Sequence, residues 1–452
     1  MDRERNIWLK IERLPRYNPV PYGRNIMEHH GDGTISPQLI ERRRVDALIY
    51  REYTEDWRET VDRKIIERDI TEPPPAARIP GAVLYAEPGE LLRIHVFNDD
   101  NQPRSFHVHG VEYGIDSDGS WPFGVDVEGG RRHNLNRSDA IKPQDSWTYT
   151  FRITKDSVGA WPFHDHVTHI QENIERGLFG GLIVRDLQAS SVDHEAVIFF
   201  HTLLHRRAQN ASEGAFSFRS EDFGVGGEFR HRFPSGLSSP VRISYRCTRH
   251  PEMTGSITLD PASSVLEKRV DMRDLGMTGF FDPAHINVAP GATVIWHNRG
   301  GTTHGAMSTS VTSAGTVADP DPIPSYCFNG RTFLPNTPRI VVKQGEKIRW
   351  YVLNLDVDMM WHNFHTHAQR WDVAKETVDV RSLGPAESFV LVTQAPPVSL
   401  GKPKPRNGVG EFIFHCHVEM HMHMGLVASL LVAEDDERVH ELLKGDPSTV
   451  GF

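Results

Sequence analysis

After residue 75 the chain is a succession of short, strand-like apolar runs bounded by glycine and proline. Residues 91–97, 146–153, 181–184, 289–295, 340–353 and 387–392 are the clearest of them. Long amphipathic helices are scarce, so the pattern predicts an all-β chain of sandwiches or barrels rather than a parallel sheet. One template recurs. VLYAEPGELLRIHVFN ends at Asn98, INVAPGATVIWHN at Asn298 and IVVKQGEKIRWYVLN at Asn354. Each copy is a strand, a Pro-Gly or Gln-Gly turn, a second strand and an asparagine. Three copies imply three sandwich units, placed at 76–190, 191–320 and 321–452.

Residues 1–75 hold no clear domain. Prolines at 15, 19 and 21 interrupt early structure, and 73–75 form a stiff proline spacer. The segment is expected to be an arm over the domains, with a helix across 36–51 capped by Ser36. Its opening, MDRERNIWLKIERLP, lacks the apolar core of a secretory leader. A chain made without a leader, or one whose leader has been removed, is expected.

Composition narrows the function. The 452 residues carry 50 basic and 60 acidic side chains, a net charge of -10, with no long basic run, which argues against a nucleic-acid binder. No stretch approaches the roughly 18 apolar residues of a membrane span. Three cysteines, at 247, 327 and 416, cannot build a disulfide framework. The 25 histidines, many in tight pairs, point to a metal protein.

The histidines fall into four clusters: His107-Val108-His109, His164-Asp165-His166, His362-Asn363-Phe364-His365-Thr366-His367, and His415-Cys416-His417 with His421 shortly after. On a strand, residues i and i+2 share a face, so each His-x-His pair presents two imidazoles together. In the last cluster His415 and His417 face one way and Cys416 the other. A thiolate with two histidines is the ligand set of a blue-copper electron-transfer centre, while histidines with open positions suit a copper site for dioxygen. One tripeptide would then join two sites through a few covalent bonds.

These motifs, in this order, resemble those of the multicopper oxidases. The resemblance implies three cupredoxin-like Greek-key sandwiches and assigns roles residue by residue. His362, Cys416 and His421 match type 1 copper ligands, and His107 and His365 match the type 2 ligands. His109, His164, His166, His367, His415 and His417 match the type 3 pair. The position of the axial type 1 ligand, often methionine in the family, holds Leu426, which should raise the reduction potential. Met422, His423 and Met424 are read as packing or surface residues. Asp118 matches an acidic residue near the type 2 copper and is a proton-delivery candidate. Glu419 is a second, since Met422 stands where many bacterial members carry a glutamate.

The middle segment adds a further set. Cys247-x-x-His250-x-x-Met253, with His304 in WHNRGGTTHGAM, completes a second blue-copper donor set. The local sequences resemble plastocyanin- and amicyanin-like proteins, but the isolated histidine follows the cysteine loop instead of preceding it. A circularly permuted cupredoxin with an additional type 1 copper is therefore expected. YREYTEDWRETV and GLFGGLIVRD are similar to the ceruloplasmin-like branch. Cys327 fits neither site and is read as a buried small residue, and His201 and His205 as unrelated to metal.

The expected activity is copper-dependent oxidation of a small reducing substrate, laccase-like toward phenols and aromatic amines, coupled to reduction of dioxygen to water. An electron-donor protein at the middle domain is a further expected partner. A metallo-oxidase acting on Fe(II) or Cu(I) is the alternative within the enzyme class. A non-catalytic copper-binding or electron-transfer protein is the alternative outside it, and a copper nitrite reductase needs fewer histidines than are present. Family members are often periplasmic or extracellular. One chain carries all four motifs, so a monomer is expected.

Overall fold

The computed structural model describes residues 2–22, 25–29, 35–39, 45–120, 140–167, 170–203, 216, 218–233, 235, 240–275, 278–313, 325–357, 360–401 and 407–445. The chain divides into two compact units, one formed by residues 1–207 and 324–452, the other by 208–323. Both are β-sandwich structures of the cupredoxin kind.

The larger unit holds two sandwiches. In the first, a five-stranded sheet (Val45–Tyr53, Arg3–Tyr17, Glu90–Asn98, Ser146–Arg152, Glu112–Tyr113) faces a four-stranded one (Val83–Ala86, Phe179–Val184, Gly159–His164, His107–Val108). In the second, Ser325–Phe328, His194–Leu203, Lys347–Asn354 and Ser388–Gln394 form one sheet. Arg339–Lys343, Val427–Ala433, Val409–Cys416, His362–Thr366 and Val380–Leu383 form the other. Burial alternates strictly along Glu90–Asn98, as a strand with one face on the core requires.

Three expectations fail here for identifiable reasons. Residues 1–75 are not an arm: Arg3–Tyr17 pairs in parallel with Glu90–Asn98 and antiparallel with Val45–Tyr53, inside the first sheet. The charge–apolar alternation of the N-terminus is a strand signature, with Ile7, Leu9 and Ile11 buried. The expected helix over 36–51 is replaced by strands Ile35–Leu39 and Val45–Tyr53, the latter burying Val45 and Ala47 through Tyr50 in succession. The middle domain also starts later than residue 191. Strand His194–Leu203 lies between Ser325–Phe328 and Lys347–Asn354, so it belongs to the last sandwich, and the middle unit is an insertion between Leu203 and Ser325.

The threefold template is a corner between sheets. In each copy the two strands belong to opposite sheets of one sandwich, and the turn glycine (Gly89, Gly291 or Gly345) has a positive φ that a side chain would strain. The closing asparagine is fully buried in all three. Its Oδ1 accepts the backbone N–H two residues on (Asp100, Gly300, Asp356), and its Nδ2 donates to carbonyls of the following loop. Each stapled loop leads directly to a ligand-candidate histidine: His107, His304 or His362. The repeat therefore positions chemistry as well as backbone.

In the inserted unit, Glu228–Arg232, Thr293–Asn298, Glu267–Leu275 and Thr278–Asp282 form one sheet, and His285–Val288, Thr254–Leu259, Val241–Cys247 and Ala306–Ser313 the other. The strand after the Cys247 loop, Thr254–Leu259, pairs in parallel with His285–Val288, which follows it. In the last sandwich the equivalent strand after the Cys416 loop, Val427–Ala433, pairs in parallel with Arg339–Lys343, which precedes it. The same pairing with the chain order exchanged is the mark of a circular permutation.

Candidate metal centres

Alternation along two paired strands builds the first centre. On His362–Thr366, His362, Phe364 and Thr366 are buried while His365 turns to the other face. On the neighbouring strand Cys416 lies opposite Phe364, and His415 opposite His365. The Cys416 Sγ comes within 3.6 Å of His362 Nδ1 and 3.7 Å of His421 Nδ1. Leu426 is fully buried, and its carbonyl accepts the Cys416 N–H at 3.1 Å. The Asn363 N–H points at Sγ from 3.4 Å.

The thiol and imidazole condition one another. Burial opposes the charged thiolate, but hydrogen bonds from His362 and His421 and the Asn363 N–H bring the Cys416 pKa down to about 6. Burial likewise opposes a charged His362, yet bonds to Asp356 and Cys416 raise it to about 9. His362 Nε2 donates to Asp356 Oδ2 at 2.7 Å, and Thr202 Oγ1 donates to the same carboxylate oxygen at 3.0 Å. Asp356 thus fixes the ring so that Nδ1 faces the thiolate. The sequence reading missed this residue; its trace is the Asn-x-Asp at 354–356.

The remaining eight histidines form two quartets with the same plan. His107 lies opposite His164, and His365 opposite His415, each on paired antiparallel strands. Backbone carbonyls hold Nδ1 in four of them: Asp118 O for His107 (2.6 Å), Asp165 O for His164 (3.0 Å), Asp379 O for His365 (2.8 Å) and Cys416 O for His415 (2.9 Å). This leaves Nε2 facing inward. His109 and His164 then approach Nε2 to Nε2 at 3.2 Å, as do His367 and His415. Clustered neutral imidazoles are a metal donor set, and the pKa shifts agree. Burial, reinforced by neighbouring imidazoles, lowers His109 to about 4 and His164 to about 3, and lowers His166, His367 and His415. At these five rings no proton needs to be displaced near neutral pH.

A pH prediction follows. His164 binds a proton in the unfolded chain below about 6.5 but in the folded chain only below about 3. The unfolded state therefore holds more protons across that window, and metal-free protein should lose stability as pH falls through it. A chelator-treated sample should show a declining thermal midpoint from about pH 6.5 toward pH 4. A flat profile would contradict the buried neutral quartet.

The two quartets are carried by different sheets, His107 and His164 on one and His365 and His415 on another. The sheet carrying His107 and His164 packs on the sheet containing His194–Leu203 and Lys347–Asn354, where Phe179 meets Phe199 at 5.7 Å. That sheet in turn packs on the one carrying the second quartet, through Trp350 against Phe364 and Phe414. The sheets that carry the two quartets thus lie on opposite sides of this intervening sheet, each about 10 Å from it. His365 and His415 occupy the outward face, opposite Phe364 and Cys416, and His367 and His417 are exposed.

Asp118 sits where expected, its carbonyl on His107, its Oδ1 3.8 Å from His107 Nδ1, and its Oδ2 accepting from Ser120. Glu419 opens the short helix Glu419–His423, exposed. In that helix His423 is exposed, while Met424 packs against the core. Cys327 is buried, donating to Ser325 O. His201 is a buried structural histidine whose Nε2 accepts the Gly330 N–H at 2.8 Å, and His205 lies outside the described residues.

In the inserted unit, Cys247 Sγ lies 3.6 Å from both His250 Nδ1 and His304 Nδ1, which are 3.2 Å apart. Met253 is buried beside them.

A thiolate with imidazoles, repeated in two places, fits copper, which takes soft sulfur and imidazole together. All-β sandwiches holding such sets define a copper-binding protein of the cupredoxin kind. Residues 76–189 and 302–436, more than half of the chain, match models of the multicopper oxidase family. The chain belongs to that family, whose members use dioxygen and a reducing substrate.

Among curated relatives, ferroxidase HEPHL1 of Mus musculus is 27% identical over 209 residues, 41% of this chain and 17% of that protein. Hephaestin of Mus musculus is 25% identical over 224 residues, 44% of this chain and 18% of that protein. The chain therefore spans less than a fifth of the length of these relatives. Among solved structures, the multicopper oxidase mgLAC aligns over 95% of this chain and 86% of that one, at a TM-score of 0.47 and 15% identity. A copper nitrite reductase from Nitrosomonas europaea aligns over 96% and 95%, at 0.47 and 12%.

Proposed function

We propose that the protein is a laccase-like oxidase that withdraws single electrons from phenols or aromatic amines and reduces dioxygen to water. Four such oxidations and four protons balance one dioxygen to two waters. The observation that carries this reading is the strand alternation at Cys416. Its Sγ faces His362 and His421 while the adjacent His415 and His417 belong to a quartet, which joins two donor sets through a few bonds.

Cys416, His362 and His421 would hold the type 1 copper. The quartets, with His107 and His365 at the type 2 position, would hold the other three ions. Bound there, copper supplies one-electron redox chemistry and the open positions for dioxygen. The chain's own groups orient and protonate. Asp356 fixes His362, carbonyls fix the quartets, and Asp118 beside His107 is placed to deliver protons, with Glu419 two residues beyond His417 as a second source.

Because one chain separates its quartets, the cluster closes between copies, the first quartet of one meeting the second of another. The exposed His367 and His417 are consistent with a half-site awaiting its complement.

The donor preference rests on the surroundings of the Cys416 set. Trp361 and Met420, each adjacent in sequence to a ligand, are 58% and 59% exposed, offering apolar surface to an aromatic donor. Asp356 is buried and engaged, and so is not free to bind Fe(II). The ferroxidase relatives favour the metallo-oxidase alternative. Copper-loaded protein should consume oxygen with dimethoxyphenol at a higher kcat/KM than with Fe(II). The reverse order would establish a metallo-oxidase, and no oxygen uptake with any strong one-electron donor would leave an electron-transfer protein.

A further inference from the structure

The inserted unit has no place in the reading above, since the Cys416 set and the quartets all lie in the larger unit. We propose that it holds a second mononuclear copper, ligated by Cys247, His250 and His304 with the Met253 thioether as fourth donor.

Four observations converge on this. The spacing of the donor atoms reproduces the Cys416 set: 3.6 Å from thiol to each imidazole, against 3.6 and 3.7 Å there. A backbone N–H points at each sulfur from 3.4 Å, from Arg249 here and from Asn363 there. One histidine in each set is oriented by a carboxylate. His304 Nε2 donates to Asp274 Oδ1 at 2.8 Å, as His362 does to Asp356, so that Nδ1 faces the thiol in both. Finally, the thioether has been given room. A Cβ on Gly279 would fall 3.0 Å from Met253 Sδ and 3.2 Å from His304 Cε1, so sulfur and imidazole edge meet at that glycine. The loop is braced for the purpose, with Cys247 N–H donating to Met253 O and Met253 N–H to His250 O.

Asp274 is itself held by the Gly301 and Thr302 N–H groups and the Thr302 hydroxyl. These come from the Asn298-stapled loop that delivers His304. Loop, carboxylate and ligand thus brace one another, with Asp274 on the strand Glu267–Leu275 serving His304 as Asp356 of the Asn354 loop serves His362. A neutral thioether beside a thiolate and two imidazoles selects copper over zinc.

The insertion point is informative too. Strands His194–Leu203 and Ser325–Phe328, which lead into and out of the unit, touch the Cys416 ligands. Phe200 stacks on His362 at 5.0 Å, and Tyr326 on His421 at 4.7 Å.

The two donor sets differ at one atom type: Met253 against Leu426. A thioether stabilises Cu(II) relative to an aliphatic neighbour, so the Cys247 centre has the lower potential and gives up its electron more readily.

The decisive variant is Cys416→Ser in the full-length, copper-loaded chain, because it leaves 208–323 untouched. It should keep an intense thiolate–copper absorption and the corresponding paramagnetic signal. Cys247→Ser should retain the other band and lose about one copper per chain. Redox titration should give Cys416→Ser a lower midpoint than Cys247→Ser. Adding Met253→Leu to the Cys416→Ser chain should raise the midpoint. Asp274→Asn in that background should keep the copper and raise the midpoint as well, as expected when an imidazole loses its carboxylate partner. A colourless Cys416→Ser chain, or one carrying zinc in that unit, would overturn the proposal, and an unmoved midpoint in the Met253 variant would remove the thioether from it. None of these readouts depends on oxygen turnover, so the failure of this inference and of the oxidase reading are separable.

Discussion

Cys416→Ser is expected to reduce oxygen consumption with any small donor to the uncatalysed background. The side chain has two roles that serine cannot fill. Its sulfur lies within reach of both His362 and His421, and hydroxyl oxygen is too hard and too weakly acidic to replace a thiolate toward copper. Its backbone also joins His415 and His417, so it is the short covalent link between the two donor sets. The fold should survive, because Ser replaces Cys at a core position whose backbone bond to Leu426 O does not involve the side chain. Leu426→Met is the matching control. It adds a thioether while leaving the thiolate, so turnover should persist with a lowered midpoint potential. Oxygen-electrode rates on the two variants, each checked for copper content, distinguish loss of the link from general damage. Substantial turnover in Cys416→Ser would mean that electrons enter the quartets by another route.

How much of this was legible beforehand depends on whether a property is local. The ligand sets are carried by tight motifs, and the period of two along a strand assigns faces without further information. The period of two sets Cys416 against its neighbours His415 and His417 from sequence alone, whereas the division of His362 from His365 rested on the family resemblance. The corner template was also visible, and its asparagine is the same loop staple in three places. What failed was tertiary. The N-terminal alternation was evident, but its pairing with Glu90–Asn98, far along the chain, leaves no local trace. The apolar run at 194–203 reads equally well as the start of the middle domain or as a strand of the last, and only its partners decide. Asp274 reaches His304 from a different strand, which spacing cannot reveal. The same limit applies to the cluster: motif order says that eight histidines belong together, not that they come from one chain.

That last point yields a sharp test by complementation. Take one chain with His107→Ala and His109→Ala, and a second with His365→Ala and His367→Ala. Each alone should be inactive, since every cluster in either assembly lacks two of its eight histidines, including the one at the type 2 position. The layer order puts the two quartets on opposite sides of the sheet that contains His194–Leu203 and Lys347–Asn354, so the contact joining them pairs unlike surfaces of neighbouring copies. Such a head-to-tail arrangement closes into a ring when its rotation permits and otherwise extends as an open filament. When the two chains are co-expressed, the intact first quartet of one faces the intact second quartet of the other at some junctions. Random mixing makes about a quarter of the junctions whole, whatever the number of copies. Differently tagged chains recovered together should therefore show roughly a quarter of the parent oxygen uptake per chain and sediment as a multiple of the chain mass. The Cys416 sets are intact in both variants, so blue colour should be undiminished and serves as the folding control. If the cluster closed within each chain, no mixture of the two could contain a complete one, and mixing would restore nothing. Activity that appears only on mixing requires the partner copy to complete the site.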